Sequence, residues 1–325
     1  MLLRFYKSYN TLALISVPFI VAGLWLFSFY TEPQEQYQYA LPFMGEIFKE
    51  INENKILAYF LSILFISIGS FLINSIFNKY EYFDRFVFLP ALLYGLGMSS
   101  TGSLLYFNPI IISNLFVLLA YQQLLQIDRK EGAKSQVFNF GLLVGISSIF
   151  YITNIILFPA VLFVLLSIKG FDFKEILLSF IGLFTPLAYI LVYAYLFAGE
   201  KFTDYYQHLE FVVHFKTDWN YYEIAFYSGL ILVSIIALFM LIPRYAKAGL
   251  RYKKIIKVYV HFSFWILIWT VFNFFYLEAI DFTAFLTIPL TFLLSFYLVY
   301  LKSESFASLM FNLGLISLGL MIYLG

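Results

Sequence analysis

The sequence predicts an all-α protein: a polytopic bundle of about eleven transmembrane helices (nine to eleven), N-terminus inside and C-terminus outside. Three observations carry this. Apolar residues fill 62% of 325 positions and charged residues only 12%, whereas a water-soluble domain carries roughly 25% charge and 45–50% apolar residues. Apolar runs of about 20 residues recur, the length that crosses ~30 Å of hydrocarbon at ~1.5 Å per residue. The basic residues between those runs gather on alternate connections, as the positive-inside rule requires.

The first run, 11–30, follows Arg4 and Lys7. It has no small-x-small cleavage site and is too long for a signal peptide, so it reads as a retained helix. Runs at 56–77, 86–105 and 109–125 come next, Asn108 and Pro109 supplying the cap and first position of the last. The runs 137–152 and 154–168 are short and share Thr153 and Asn154 as their turn. They read either as two spans or as one re-entrant pair. Runs at 176–197, 224–241, 256–274, 284–301 and 306–324 complete the set. Pro18, Pro90, Pro159, Pro186 and Pro289 fall inside runs and are expected to kink them. Gly141 and Gly145 form a small-xxx-small pair, a close-packing face for another helix and a route to a membrane-protein partner. No linker, low-complexity tract or internal repeat divides the chain, so 1–325 reads as a single integral membrane domain.

With the N-terminus inside, 16 of the 20 basic residues fall on inner segments and 12 of the 19 acidic residues on outer ones. This arrangement suits a multi-pass protein of a bacterial inner membrane, with the lipid bilayer as its main partner. Arg244, Lys247, Arg251, Lys253, Lys254 and Lys257 place six cations within fourteen residues. They are expected to anchor the neighbouring helices to anionic headgroups of the inner leaflet.

Much chemistry is excluded. Without Cys there is no disulfide, thiolate metal site or cysteine nucleophile. A net charge of +1 with dispersed cations gives no basis for nucleic-acid binding. No cofactor motif is present. His261 alone titrates well inside a run, which argues against an ion-coupled pump. The amides Asn74, Asn114, Gln122, Gln123, Asn139, Asn273 and Asn312 are expected to form hydrogen bonds between helices. Two outer loops are long enough to build something. In the first, residues 43–54 place Phe43, Met44, Ile47, Phe48 and Ile51 on one helical face and Glu46, Lys49, Glu50 and Glu53 on the other. That is the pattern of an amphipathic helix lying in the interface. In the second, Asp204 and His208, then His214 and Asp218, stand four apart among Tyr and Trp. An aromatic interfacial belt explains them better than a metal site does, and no metal is expected.

Four stretches, LPFMGEIFKEI, LINSIFNKYEYFDRFVFLPALLYGL, FNPIIISNLFVLLAYQQLL and VFNFGLLVGISSIFYITNIILFPAVLFVLL, resemble a multi-pass membrane-protein family of Bacteroidota with no assigned activity. More distantly, the layout is similar to the GT-C glycosyltransferases, which use polyprenyl-linked sugars. That resemblance implies a catalytic carboxylate in the first outer loop, where Glu46 and Glu50 stand, with Glu35 third; the loop holds no Asp. It also implies a cation for the lipid phosphate, for which Lys49 and Lys55 are placed while all five Arg fall inside. The leading expectation is a non-catalytic scaffold or assembly subunit of an envelope complex. The alternatives are a GT-C-like transferase at the periplasmic face and an uncoupled lipid or solute transporter.

Overall fold

The computed structural model describes residues 2–8, 10–26, 42–100, 106–128, 132–197, 221–276 and 283–324, and every regular element among them is helical. In chain order these are α1 (Leu2–Lys7), α2 (Thr11–Trp25), α3 (Pro42–Glu53), α4 (Lys55–Lys79), α5 (Leu89–Met98), α6 (Pro109–Gln126) and α7 (Lys134–Phe150). A 3₁₀ segment (Ile152–Leu157) follows, then α8 (Ala160–Ile168), α9 (Phe173–Phe197), α10 (Tyr221–Lys247), α11 (Leu250–Tyr276), α12 (Thr283–Tyr300) and α13 (Glu304–Leu324). Among the described residues six helices are long and apolar enough to cross a membrane: α4, α6, α9, α10, α11 and α13. Shorter apolar helices lie between them, and each of the eleven sequence runs coincides with a helical segment. The protein is a multi-pass helical membrane protein whose surface meets the bilayer.

Local chemistry sets the helix starts. Asn10, Asn54 and Asn108 each accept a backbone N–H of the first turn that follows, from Leu12 (3.0 Å), Leu57 (3.2 Å) and Ile110 (3.0 Å). Pro90 sits at the N-terminal turn of α5, so it begins that helix rather than kinking it. With only ten residues, α5 is much shorter than the run that predicted it. Pro159 likewise stands at the N-cap of α8, whereas Pro18, Pro186 and Pro289 lie inside helices.

The pair of short runs resolves into two limbs of comparable length. One is the 17-residue α7; the other joins the six-residue 3₁₀ segment to the nine residues of α8. Thr153 and Asn154 are buried in the second limb instead of forming an exposed turn. α7 packs most extensively on α9. A Cβ at Gly141 would lie 2.1 Å from the Ser179 carbonyl oxygen, one at Gly145 2.5 Å from that of Leu183, and one at Gly182 2.2 Å from that of Phe138. The Gly141/Gly145 face is therefore occupied by α9 of the same chain. This corrects the expectation of a partner there: backbone contact at this range leaves no room for another helix.

The 25 residues of α4 separate two ends of the bundle. At its N-terminal end lies α3. At its C-terminal end the 80–88 connection meets α1, α10, α11 and α12, and here the charges collect. The Phe88 N–H donates to the Tyr6 carbonyl (3.0 Å), the Asp84 N–H to the Tyr300 hydroxyl (3.0 Å), and Arg85 to the Val299 carbonyl (3.4 Å). Asp84 pairs with Arg244, whose guanidinium lies 3.9 Å from the Tyr300 ring centroid. Glu81, at φ 55°, places its carboxylate 3.2 Å from Arg251, and Asp128 lies 4.0 Å from Lys254. Just inside this basic end Tyr82 and Tyr121 share a hydrogen bond, and Phe292 packs on Phe77 (6.0 Å), Tyr82 (5.2 Å) and Tyr259 (4.4 Å).

Candidate functional site

The site the sequence singles out lies at the α3 end. Only Asn54 separates α3 from α4, and its N–H donates back to the Ile51 carbonyl (3.2 Å) while its side chain caps α4. The chain therefore turns a sharp corner. α3 is fastened by two residues on one face. Phe48 is buried with Ala58 and Phe107, its ring 5.0 Å from that of Phe107 and 6.5 Å from that of Phe150. Asn52, 7% exposed, donates to the Phe48 and Phe107 carbonyls (both 2.8 Å) and accepts the Phe107 N–H (3.0 Å). The apolar stripe of α3 thus packs on protein through Phe48 and Ile51, while Ile47 stays exposed.

At ~100° per residue, Glu46, Glu50 and Glu53 point about 140–200° away from Phe48. All three are exposed, as is Lys49 between them, and Lys55 is exposed just past the corner as the first residue of α4. The structure thus brings Glu46, Lys49 and Glu50 onto the exposed side of α3, with Lys55 exposed at the first position of α4. Carboxylates so placed can accept a proton from a hydroxyl, and the ammonium groups can pair with a phosphate.

Inside the bundle lies a buried, uncharged polar layer. Asn154 donates to Ser113 Oγ and to the Ser147 carbonyl (3.3 Å). Thr153 donates to Asn273 Oδ1 (3.1 Å), and Asn273 donates to the Trp269 carbonyl (2.8 Å). Asn114 joins α6 to α12 through the Ala284 carbonyl (3.0 Å), as expected of an interhelical amide. Asn114 Oδ1, Asn154 Oδ1 and Trp269 Nε1 remain buried without a hydrogen-bond partner among the described residues. Trp269 is wedged between Tyr151 (5.8 Å) and Phe285 (4.3 Å). Such a layer can hydrogen-bond water or a neutral hydroxyl group but has no charge to offer.

Sequence reasoning missed Asn52, Asn154 and Trp269. Asn52 follows Phe48 by four residues, so its place on the apolar stripe was the available signal. Glu35 and the loop bearing Asp204, His208, His214 and Asp218 lie outside the described residues. Among the described residues no three His, Asp or Glu side chains could hold a metal together.

Helices of this length and apolarity, with the amphipathic α3 pinned against one end of the bundle, define a class: polytopic α-helical membrane proteins. Within it the chain belongs to a family of unknown function (DUF6427), whose model matches residues 37–324. No curated protein sequence matches it. Among solved structures it is similar to ArnT from Cupriavidus metallidurans bound to undecaprenyl phosphate, with a TM-score of 0.55 and 9% identity. The likeness covers 94% of this chain and 63% of that one. At that identity the likeness shows a shared fold and nothing further.

Proposed function

We propose that this protein is a GT-C-like transferase that engages a polyprenyl-phosphate-linked sugar at the α3 end, on the periplasmic side of the inner membrane. One observation carries the reading: α3 is locked over the bundle by Phe48 and Asn52 so that Glu46 and Glu50 face outward. This occurs in a fold similar, over 94% of its length, to a protein bound to undecaprenyl phosphate. In this reading Glu46 or Glu50 takes the proton of the acceptor hydroxyl as it attacks the sugar carbon, and the polyprenyl phosphate departs. Lys49 and Lys55 neutralise that phosphate. The test is complementation of a deletion strain by Glu46→Gln and Glu50→Gln, with protein level measured in parallel. Loss of a general base costs about 10²–10⁴ in rate, so one of the two should fail at normal abundance. Full rescue by both would exclude the catalytic roles.

A second reading, a non-catalytic subunit of an envelope complex, is favoured by the placement of arginine. All four described arginines, Arg4, Arg85, Arg244 and Arg251, lie at the basic end. Among the described residues the α3 end has only lysines to meet a phosphate, without the bidentate fork that suits it best. Rescue by both glutamine variants, with failure of a variant lacking residues 42–53, would support this subunit role.

A further inference from the structure

The six cations around the α10–α11 corner divide into two sets. Arg244, Arg251 and Lys254 turn toward Asp84, Glu81 and Asp128. Lys247, Lys253 and Lys257 have no carboxylate within salt-bridge range among the described residues, and Lys253 sits 6.0 Å from the Tyr245 ring centroid. Helix geometry explains the split. At ~100° per residue, Arg251 and Lys254 stand about 60° apart and Lys253 and Lys257 about 40° apart, the two pairs diverging by about 110°.

The direction of the second pair is also the direction of the lipid. Val260, Phe264, Leu267 and Val271 continue along α11 within about 60° of the mean direction of Lys253 and Lys257, and they are 51%, 51%, 52% and 54% exposed. Large apolar side chains that are half exposed on a membrane-spanning helix face acyl chains. Where that stripe ends, at the basic end, Lys257 is exposed and Lys253 half-buried, with Lys247 exposed at the close of α10. Lysine stems lie along such a stripe while the ammonium reaches the headgroup level. We infer that Lys247, Lys253 and Lys257 form a binding surface for the phosphates of anionic membrane lipids. The paired set instead holds the helices to one another. This is narrower than an anchor made of all six cations, and it is independent of any chemistry at the α3 end.

The experiment reconstitutes the full chain in bilayers of mixed phosphatidylglycerol and phosphatidylcholine, extracts it gently and counts retained lipids by native mass spectrometry. An electrostatic gain of about 1 kcal/mol per cation is about fivefold each. The triple variant Lys247→Gln, Lys253→Gln, Lys257→Gln should therefore lose its preference for phosphatidylglycerol by tenfold or more. The corresponding triple arginine variant should keep it, and Arg251→Gln with Lys254→Gln should also keep it. Helicity and size-exclusion profile establish that each variant is folded. Unchanged retention by the triple glutamine variant would overturn the inference, as would equal loss in the Arg251/Lys254 variant. Displacement of the lipid by inorganic phosphate would assign the site to free phosphate instead and refute the headgroup surface.

Discussion

Replacing Gly141 by Ala adds one methyl group where α7 and α9 touch through their backbones. The new Cβ would lie 2.1 Å from the Ser179 carbonyl oxygen, 2.9 Å from the Leu183 nitrogen and 3.1 Å from the Ser179 carbonyl carbon. Real Cβ atoms essentially never approach closer than 3.0 Å, so the helices must separate by at least 3.0 − 2.1 = 0.9 Å at that point. No side chain can rotate away to relieve the clash. Overpacking of this kind costs about 1–3 kcal/mol, occasionally more, against which alanine recovers about 0.8–1.0 kcal/mol of helix propensity. A rigid backbone contact belongs at the upper end, so the expected net loss is about 2 kcal/mol. Gly229→Ala provides the control, because a Cβ there meets nothing within 4 Å. The same chemical change on α10 should be neutral or stabilising by up to ~1 kcal/mol. Both variants would be unfolded reversibly in mixed micelles by titrating a denaturing detergent, with helicity as the signal. If Gly141→Ala proved as stable as Gly229→Ala, the backbone-to-backbone packing of α7 on α9 would be refuted.

Asn52→Ala leaves the buried N–H and carbonyl of Phe107 without their partner; at about 1–3 kcal/mol for each orphaned group, amide exchange in α3 should accelerate at least tenfold. Unchanged exchange would mean that Phe48 alone holds the helix. Arg244→Lys keeps the charge but removes the stacking on Tyr300, whereas Asp84→Asn removes one partner whose side chain is 72% exposed. The second change should cost no more than ~1 kcal/mol and the first more, and the reverse order in an unfolding titration would count against aromatic stacking as the main restraint. Reporter fusions after Lys134, Lys174 and Lys254 should read cytoplasmic and those after Lys49 and Lys216 periplasmic, since 16 of the 20 basic residues fall on one side of this topology; opposite signals at two sites would break it.

What could be read from the chain follows from the range over which each cause acts. Hydrophobic run length and Asn–Pro cap chemistry are local, so the helices appear where the runs do, Pro109 starts α6 as expected, and α3 carries Glu46, Lys49 and Glu50 on one face. The small-residue spacing at Gly141 and Gly145 correctly announces close helix packing. It says nothing of which helix arrives, because that depends on Gly182 some forty residues later. The same limit governs the polar groups. Asn52 looks like one more surface amide of α3 until Phe107, 55 residues on, brings both of its backbone groups to it. Arg244 and Lys247 look alike in sequence, yet one reaches back across more than 150 positions to Asp84 and the other does not. A basic cluster beside a membrane helix therefore cannot be assigned wholly to lipid from charge alone. Each acidic residue on a neighbouring connection removes a cation from the lipid-facing set, and Glu81, Asp84 and Asp128 remove three here. Of the cations left over, Lys253 and Lys257 lie on the exposed apolar side of α11 and Lys247 at the close of α10, so α11 separates charges that hold the protein together from charges left for the membrane.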